Sequence, residues 1–178
     1  MSALPATPQP EARFSLSSAT IHDLDAIVQL EKAAYPLPWS RNNFLEIIGQ
    51  QGSNCGNYAV QLLWFQPYAH AKKILYGYFV ALLGIDEVHL LNLAVHPQYQ
   101  HQGCARLLLQ HLCNHAHQHH AQHLWLEVRQ SSTRTQSIYN RFGFQTIAIR
   151  KNYYPTSTGG REHAIVMCLD LSQPKTTL

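Results

Sequence analysis

The segment Gln100-His101-Gln102-Gly103-Cys104-Ala105 has the composition and the placement of an anion-binding turn. It follows the apolar run Val88 to Val95, and it opens a helix in which Leu108, Leu112, Cys113 and Ala116 share one face. A diphosphate seated on such a turn meets the unpaired backbone N–H groups of the first helical turn and the positive end of the helix dipole. Gly103 and Ala105 let it approach those amides, where larger side chains would hold it off. The pattern lacks the Gly-Lys-Ser/Thr of a nucleoside triphosphate loop and the full Gly-x-Gly-x-x-Gly of a dinucleotide fold. Taken alone, Gly-x-Ala at a helix start is equally an ordinary tight turn.

Two other groups of reactive side chains compete for notice. His111, His115, His117, His119, His120 and His123 crowd the end of the same helix, and the i,i+4 pairs His111/His115 and His115/His119 have the spacing of a divalent-metal clamp. No carboxylate or cysteine completes a set, so the expectation is a solvated polar face and no metal. The cysteines at 55, 104, 113 and 168 form no Cys-x-x-Cys pair and read as free thiols. Cys104 opens the helix, where a thiol pKa tends to fall; its expected role is nevertheless that of a small loop residue.

These residues need elements to hold them. Expected strands run over Phe14–Ser17, Tyr58–Trp64, Ile74–Leu83, Val88–Val95, Leu124–Val128, Gln145–Asn152 and Ala164–Leu169. Expected helices run over His22–Ala34, from a Ser40 cap to Gly49, after the glycine turn, and over Thr133–Phe142 with Gly143 as a left-handed C-terminal cap. The order β-α-α-β-β-β-α-β-α-β-β combines an antiparallel meander with a β-α-β crossover. It predicts an α/β (α+β) fold, a mixed sheet with helices on both faces.

The chain of 178 residues, 46% hydrophobic, is long enough for one core. We expect a single domain over 13–171 between loose tails, 1–12 and 172–178. A net charge of +3 with scattered basic residues gives no nucleic-acid arm, so no direct nucleic-acid contact is expected. The first residues lack a secretion signal, and the longest apolar stretch, Ile74 to Ile85, falls short of the roughly 20 residues a bilayer span needs. The expectation is a soluble, cytoplasmic protein with no membrane partner, a monomer or weak dimer.

The string from Leu91 through Ala105 resembles motif A of the GNAT N-acetyltransferase superfamily. Leu126-Glu127-Val128-Arg129 and Tyr139-Asn140-Arg141-Phe142-Gly143-Phe144 resemble its motif B. Tyr35-Pro36-Leu37-Pro38-Trp39-Ser40, Arg150-Lys151-Asn152-Tyr153-Tyr154-Pro155 and Gly160 to Met167 narrow the resemblance to the bacterial ribosomal-protein alanine N-acetyltransferases, the RimI-like enzymes.

That resemblance implies a mostly antiparallel seven-stranded sheet, acetyl-CoA as co-substrate, and direct attack in a ternary complex. Leu93, Ala94 and Val95 match the positions that pair with pantetheine; His101, Gln102, Gly103, Cys104, Ala105 and Arg106 match the pyrophosphate loop. His101 stands where an arginine is common, and Ser132 where an asparagine usually lies beside the pantetheine. Glu127 matches the base and Tyr139 the acid that returns a proton to the thiolate. Tyr35, Trp39, Asn152, Tyr153 and Tyr154 are expected to line the peptide end of the cleft.

The implied acceptor is a protein N-terminus, the N-terminal alanine of a small-subunit ribosomal protein. Neutralising an α-amine of pKa about 7.8 at pH 7 costs about 1 kcal/mol, against about 4.6 for a lysine near 10.4. A carboxylate relay more easily serves the first. The alternatives are an acetyltransferase for a free small amine or polyamine, and a non-catalytic acyl-CoA-binding module.

Overall fold

A computed structural model describes residues 13–51 and 57–172. The expected tail 1–12, Cys55 and residues 173–178 lie outside the described residues. Ser172, at the edge of the expected C-terminal tail, donates its backbone N–H to the Asp170 carboxylate at 2.8 Å.

Seven strands form one sheet: β1 (Arg13–Ser18), β2 (Tyr58–Gln66), β3 (Ile74–Leu83), β4 (Glu87–Val95), β5 (His123–Arg129), β6 (Gln145–Pro155) and β7 (Arg161–Asp170). Their order is β1-β2-β3-β4-β5-β7-β6. Every neighbouring pair is antiparallel except β4 with β5. The four helices are α1 (Leu24–Ala34), α2 (Arg41–Gly49), α3 (Cys104–Gln118) and α4 (Thr133–Phe142). The mixed sheet expected from the element order, and the mostly antiparallel seven-stranded form that the resemblance implied, are therefore the observed ones.

Strand alternation builds the two faces. Tyr78 and Val80 of β3 pack with Leu24, Ile27, Leu30 and Phe44 of α1 and α2. Phe79 and Ala81, one residue out of phase, pack with Leu108, Leu112 and Cys113 of α3 and with Tyr139 of α4. Gly77 is required by packing. A Cβ there would lie 2.6 Å from the Ala94 carbonyl oxygen, so a side chain would push β3 from β4.

Local chemistry sets the helix ends. Ser40 accepts from the Asn43 N–H at 3.2 Å while the Asn43 side chain accepts from the Ser40 N–H at 3.0 Å, a reciprocal cap of α2. Gly143 closes α4 at φ +117°, the expected left-handed cap. The first helix begins at Leu24 and not at His22, because Asp23 bonds back to the Thr20 N–H and tightens residues 21–23 into a 3₁₀ turn. The sixth strand runs past the expected Asn152 to Pro155, carrying a wide irregularity between Arg150 and Tyr154.

Candidate active site

The site starts from a defect in the sheet. The register of β3 with β4 slips between Val80/Asn92 and Ala81/Leu90, which leaves Leu91 as an extra residue in β4. Such a bulge bends the strand that carries it. Parallel pairing of β4 with β5 ends there, at Leu90 opposite Leu126. Beyond that point the strands diverge, and a cleft of about 660 Å³ opens between them. Leu90 to Leu93 form one wall and Leu126 to Arg129 the other; Ser132, just before α4, and Tyr139 of α4 also face in, with Tyr35, Trp39 and Tyr154.

At one end lies the glycine turn. Gly103 sits at φ +82° as the residue before α3, with open space where a Cβ would be, so backbone conformation and not crowding demands glycine. His101 also adopts a left-handed conformation, φ +64°. The Gln100 side-chain amide donates to the Val95 carbonyl at 3.2 Å and ties the turn to the strand end. The first-turn N–H groups of α3 have no carbonyl four residues back. Cys104 is buried, and burial raises its thiol pKa, outweighing the lowering that its helix-start amide supplies. The expected fall at a helix start is thus corrected by desolvation.

At the other end, the strap 35–39 between α1 and α2 is pinned by Glu31, the only buried charged residue among those described. Its carboxyl group accepts from the Trp39 backbone N–H at 2.8 Å, from the Asn92 side-chain amide at 3.2 Å and from the Tyr78 hydroxyl. Trp39 packs on Phe44, and Phe44 on Tyr78, each with ring centroids 5.6 Å apart. The Tyr35 hydroxyl donates to the Leu93 carbonyl at 2.5 Å, inside the opened gap. Sequence reasoning passed over Glu31. The signal was present: residues 24, 27, 28 and 31 keep helical core spacing, and a carboxyl group in the last of those places needs buried partners.

Glu127 and Tyr139 share this cleft. The Glu127 side chain is 18% exposed, and Arg150 lies 3.3 Å from its carboxylate. Tyr139 is buried in the core cluster at its base and opens on the cleft with its other edge. Burial, then the nearby Tyr154, raises its pKa, so the phenol keeps its proton at neutral pH. Tyr154 donates to the Glu127 carbonyl oxygen at 3.0 Å, and burial first, then the Glu127 charge, pushes its pKa up to about 12. Arg129 stacks over the Tyr154 ring at 4.5 Å and pairs with Glu162 at 2.8 Å, fastening the end of β5 to the β6–β7 hairpin.

Of the expected residues, Leu93, Ser132, Glu127, Tyr139, Tyr35, Trp39 and Tyr154 come together on the cleft wall. Ala94 and Val95 are buried behind it, while His101 to Gly103 lie in the turn after the strand and Cys104 to Arg106 open α3. Asn152 and Tyr153 are not among the lining residues. They sit on the outward bulge of β6, with Asn152 at φ +51°, and Arg161 holds both of their carbonyls. Of the helix-end histidines, His115 and His119 bring their rings within 4.7 Å, His117 bonds the Cys113 carbonyl at 2.7 Å, and burial lowers the pKa of His111 and His115. Among the described residues no group of three or more ligand side chains could hold a metal ion.

A slot between diverging strands, one of which leads through a glycine turn into a helix start, suits a pantetheine arm and its diphosphate. Comparison with known proteins decides the family. The acetyltransferase (GNAT) family profile matches residues 24–144. The chain belongs to the GNAT acetyltransferase family. GNAT relatives similar along their whole length include the [ribosomal protein bS18]-alanine N-acetyltransferase of Escherichia coli strain K12, 37% identical over 158 residues, 89% of this chain and 98% of the relative. The corresponding Haemophilus ducreyi enzyme is 38% identical, covering 84% of this chain and 94% of its own. The crystal structure of the Escherichia coli ribosomal-protein-S18-alanine N-acetyltransferase superposes with TM-score 0.76 at 34% identity, over 93% of this chain and 99% of that one. Arabidopsis thaliana NAA60 in complex with acetyl-CoA shares the fold at TM-score 0.75 and 15% identity, over 90% of this chain and all of that one. As a GNAT enzyme the chain is an acetyl-CoA-dependent N-acetyltransferase, and acetyl-CoA is its co-substrate.

Proposed function

We propose that this enzyme acetylates the α-amino group of a protein N-terminus, the N-terminal alanine of ribosomal protein bS18. Similarity to enzymes of that name along nearly their whole length supports the acceptor. The carrying observation in the fold is that Glu127, Tyr139, Tyr35, Trp39 and Tyr154 face one cleft beside the opened end of β4.

In this reading Leu93, Ala94 and Val95 bind the pantetheine arm, Ser132 flanks it, and His101 to Arg106 hold the diphosphate. Glu127 receives the proton of the attacking α-amine, directly or through water. Tyr139, its proton retained by burial, returns a proton to the departing thiolate sulfur. Tyr35, Trp39 and Tyr154 surround a small N-terminal residue, while Asn152 and Tyr153 meet the peptide further out on the β6 bulge. Arg129 and Glu162 act on the site by positioning Tyr154. Glu31 does the same for the strap.

The test incubates the purified protein with acetyl-CoA and a synthetic peptide carrying the bS18 N-terminus, and reads coenzyme thiol release together with the acetylated position by mass spectrometry. Acetylation at Nα supports the reading. Turnover on small amines or polyamines with none on the peptide would replace it with a free-amine acetyltransferase. Coenzyme binding without thiol release on any amine would leave a non-catalytic acyl-CoA-binding module.

A further inference from the structure

The coenzyme turn carries an imidazole, His101, and a fixed cation reaches it from a different element. Arg134, in the first turn of α4, places its Nη2 2.8 Å from Nδ1 and 2.6 Å from Nε2 of His101, across the mouth between α4 and the turn before α3. Neither the stretch 97–107 nor the stretch 130–137 contains an aspartate or glutamate. No ion pair among the described residues involves Arg134. The arginines nearer the catalytic pair are differently engaged, Arg129 with Glu162 and Arg150 with Glu127.

An exposed guanidinium resting on an imidazole contributes little stability by itself. It does, however, hold a planar fork of donors at one place, charged at every pH the protein meets. Three residues after His101 begin the first-turn N–H donors of α3, which lack intrahelical acceptors and favour the same kind of ligand. Two independent features, a cation without an acid and a helix start behind a left-handed glycine, converge on one mouth.

We propose that Arg134 binds the phosphate groups of acetyl-CoA, and that His101 orients its guanidinium for them. A permanent positive charge of the coenzyme site then stands on α4, in addition to Arg106 on the α3 side. Phosphate oxygens accept from Arg134 on one side and from α3 amides on the other, which ties α4, and with it Tyr139, to the bound coenzyme. This inference rests on the coenzyme reading of the glycine turn.

Calorimetric titration of the purified protein with coenzyme A and with 3′-dephospho-coenzyme A tests it, using the unaltered chain, Arg134→Gln and Arg134→Lys at low and high salt. Loss of a charge-assisted bidentate contact predicts roughly tenfold or greater weakening of coenzyme A binding by Arg134→Gln at low salt. It also predicts a flatter salt dependence and partial recovery in Arg134→Lys. A penalty kept with the dephospho compound assigns the contact to the diphosphate; a penalty that vanishes assigns it to the 3′-phosphate. Unfolding temperatures taken in parallel separate lost affinity from lost fold, and Arg134→Lys carries the comparison if Arg134→Gln does not fold. Equal binding by Arg134→Gln and the unaltered protein at low salt overturns the proposal alone. No coenzyme binding by the unaltered protein removes the coenzyme reading and the proposal with it.

Discussion

Replacing Glu31 by alanine should both loosen the fold and disable the acceptor end of the cleft. The side chain is 1% exposed, and its two oxygens satisfy three donors: the Trp39 N–H, the Asn92 amide and the Tyr78 hydroxyl. A buried donor left without its acceptor costs about 1–3 kcal/mol. Tyr78 is fully buried, while Trp39 and Asn92 are partly accessible and recover some of the loss from water. We therefore expect roughly 3–6 kcal/mol in total. At about 2–4 °C per kcal/mol for a domain of this size, the melting temperature falls by roughly 6–24 °C. Glutamine behaves differently. Its carbonyl can stay on the Trp39 and Asn92 side, where one oxygen takes both donors, while its amide faces a Tyr78 hydroxyl able to turn and accept. Roughly 1–2 kcal/mol is the expected cost there. Circular dichroism melts give the stabilities, and titration of the acceptor peptide at saturating acetyl-CoA gives its KM. Glu31→Ala should raise that KM more than the KM for acetyl-CoA, because the strap 35–39 loses its anchor. A melting shift below about 2 °C for Glu31→Ala, or an unaltered peptide KM, refutes the reasoning.

Tyr139→Phe should lower kcat by about 10²-fold or more while coenzyme affinity stays nearly unchanged, since only the hydroxyl proton is lost from a packed ring; steady-state and binding assays read the two separately. Glu127→Gln should remove the acidic limb of the pH–rate profile, and an unchanged profile would exclude the carboxylate as base. Hydrogen bonding by Ser131, then by Arg129, holds the Glu162 carboxyl below the ordinary carboxylate range. A depressed folded pKa contributes stability that is fully present above the unfolded value of about 4.3 and is lost as pH falls through the folded one. Melts of Glu162→Gln should therefore lie below those of the unaltered protein at pH 7, and the gap should close as the pH drops beneath about 4.

Element order was legible because periodicity is local. The alternation in β3 places Phe79 and Tyr78 on opposite faces, and the spacing of Leu108, Leu112, Cys113 and Ala116 marks the inner side of α3, with no knowledge of neighbours required. Insertion of β7 between β5 and β6 was not legible, because nothing in a strand's own residues names its partner. The Leu91 bulge escaped for a related reason. Leu91 is an ordinary strand residue whose displacement appears only when β3 and β4 are counted against each other. The site divided along the same line. Glu127, Tyr139 and the glycine turn stood out through motif resemblance. Arg134 acts through a partner 33 residues away, and Glu31 bonds Tyr78 and Asn92, 47 and 61 residues away, which only the folded chain brings into contact.

The bulge and the strap explain how one cleft can serve two substrates. Opening β4 from β5 releases the Leu93 carbonyl from sheet pairing, and the Tyr35 hydroxyl takes it. A carbonyl has two lone pairs, so Leu93 can keep Tyr35 and still accept from an amide lying in the slot. Tyr35 thereby touches the strand assigned to the pantetheine while belonging to the strap assigned to the peptide. Glu31 reinforces the link from beneath, binding the strap at Trp39 and the same strand at Asn92. On the proposed assignments, a displacement of β4 by the coenzyme arm would pass to the acceptor wall through two short hydrogen-bonded paths, each ending on the segment 35–39. The same assignments make the acceptor wall depend on the strand that would hold the acyl donor, a physical basis for transfer within a ternary complex.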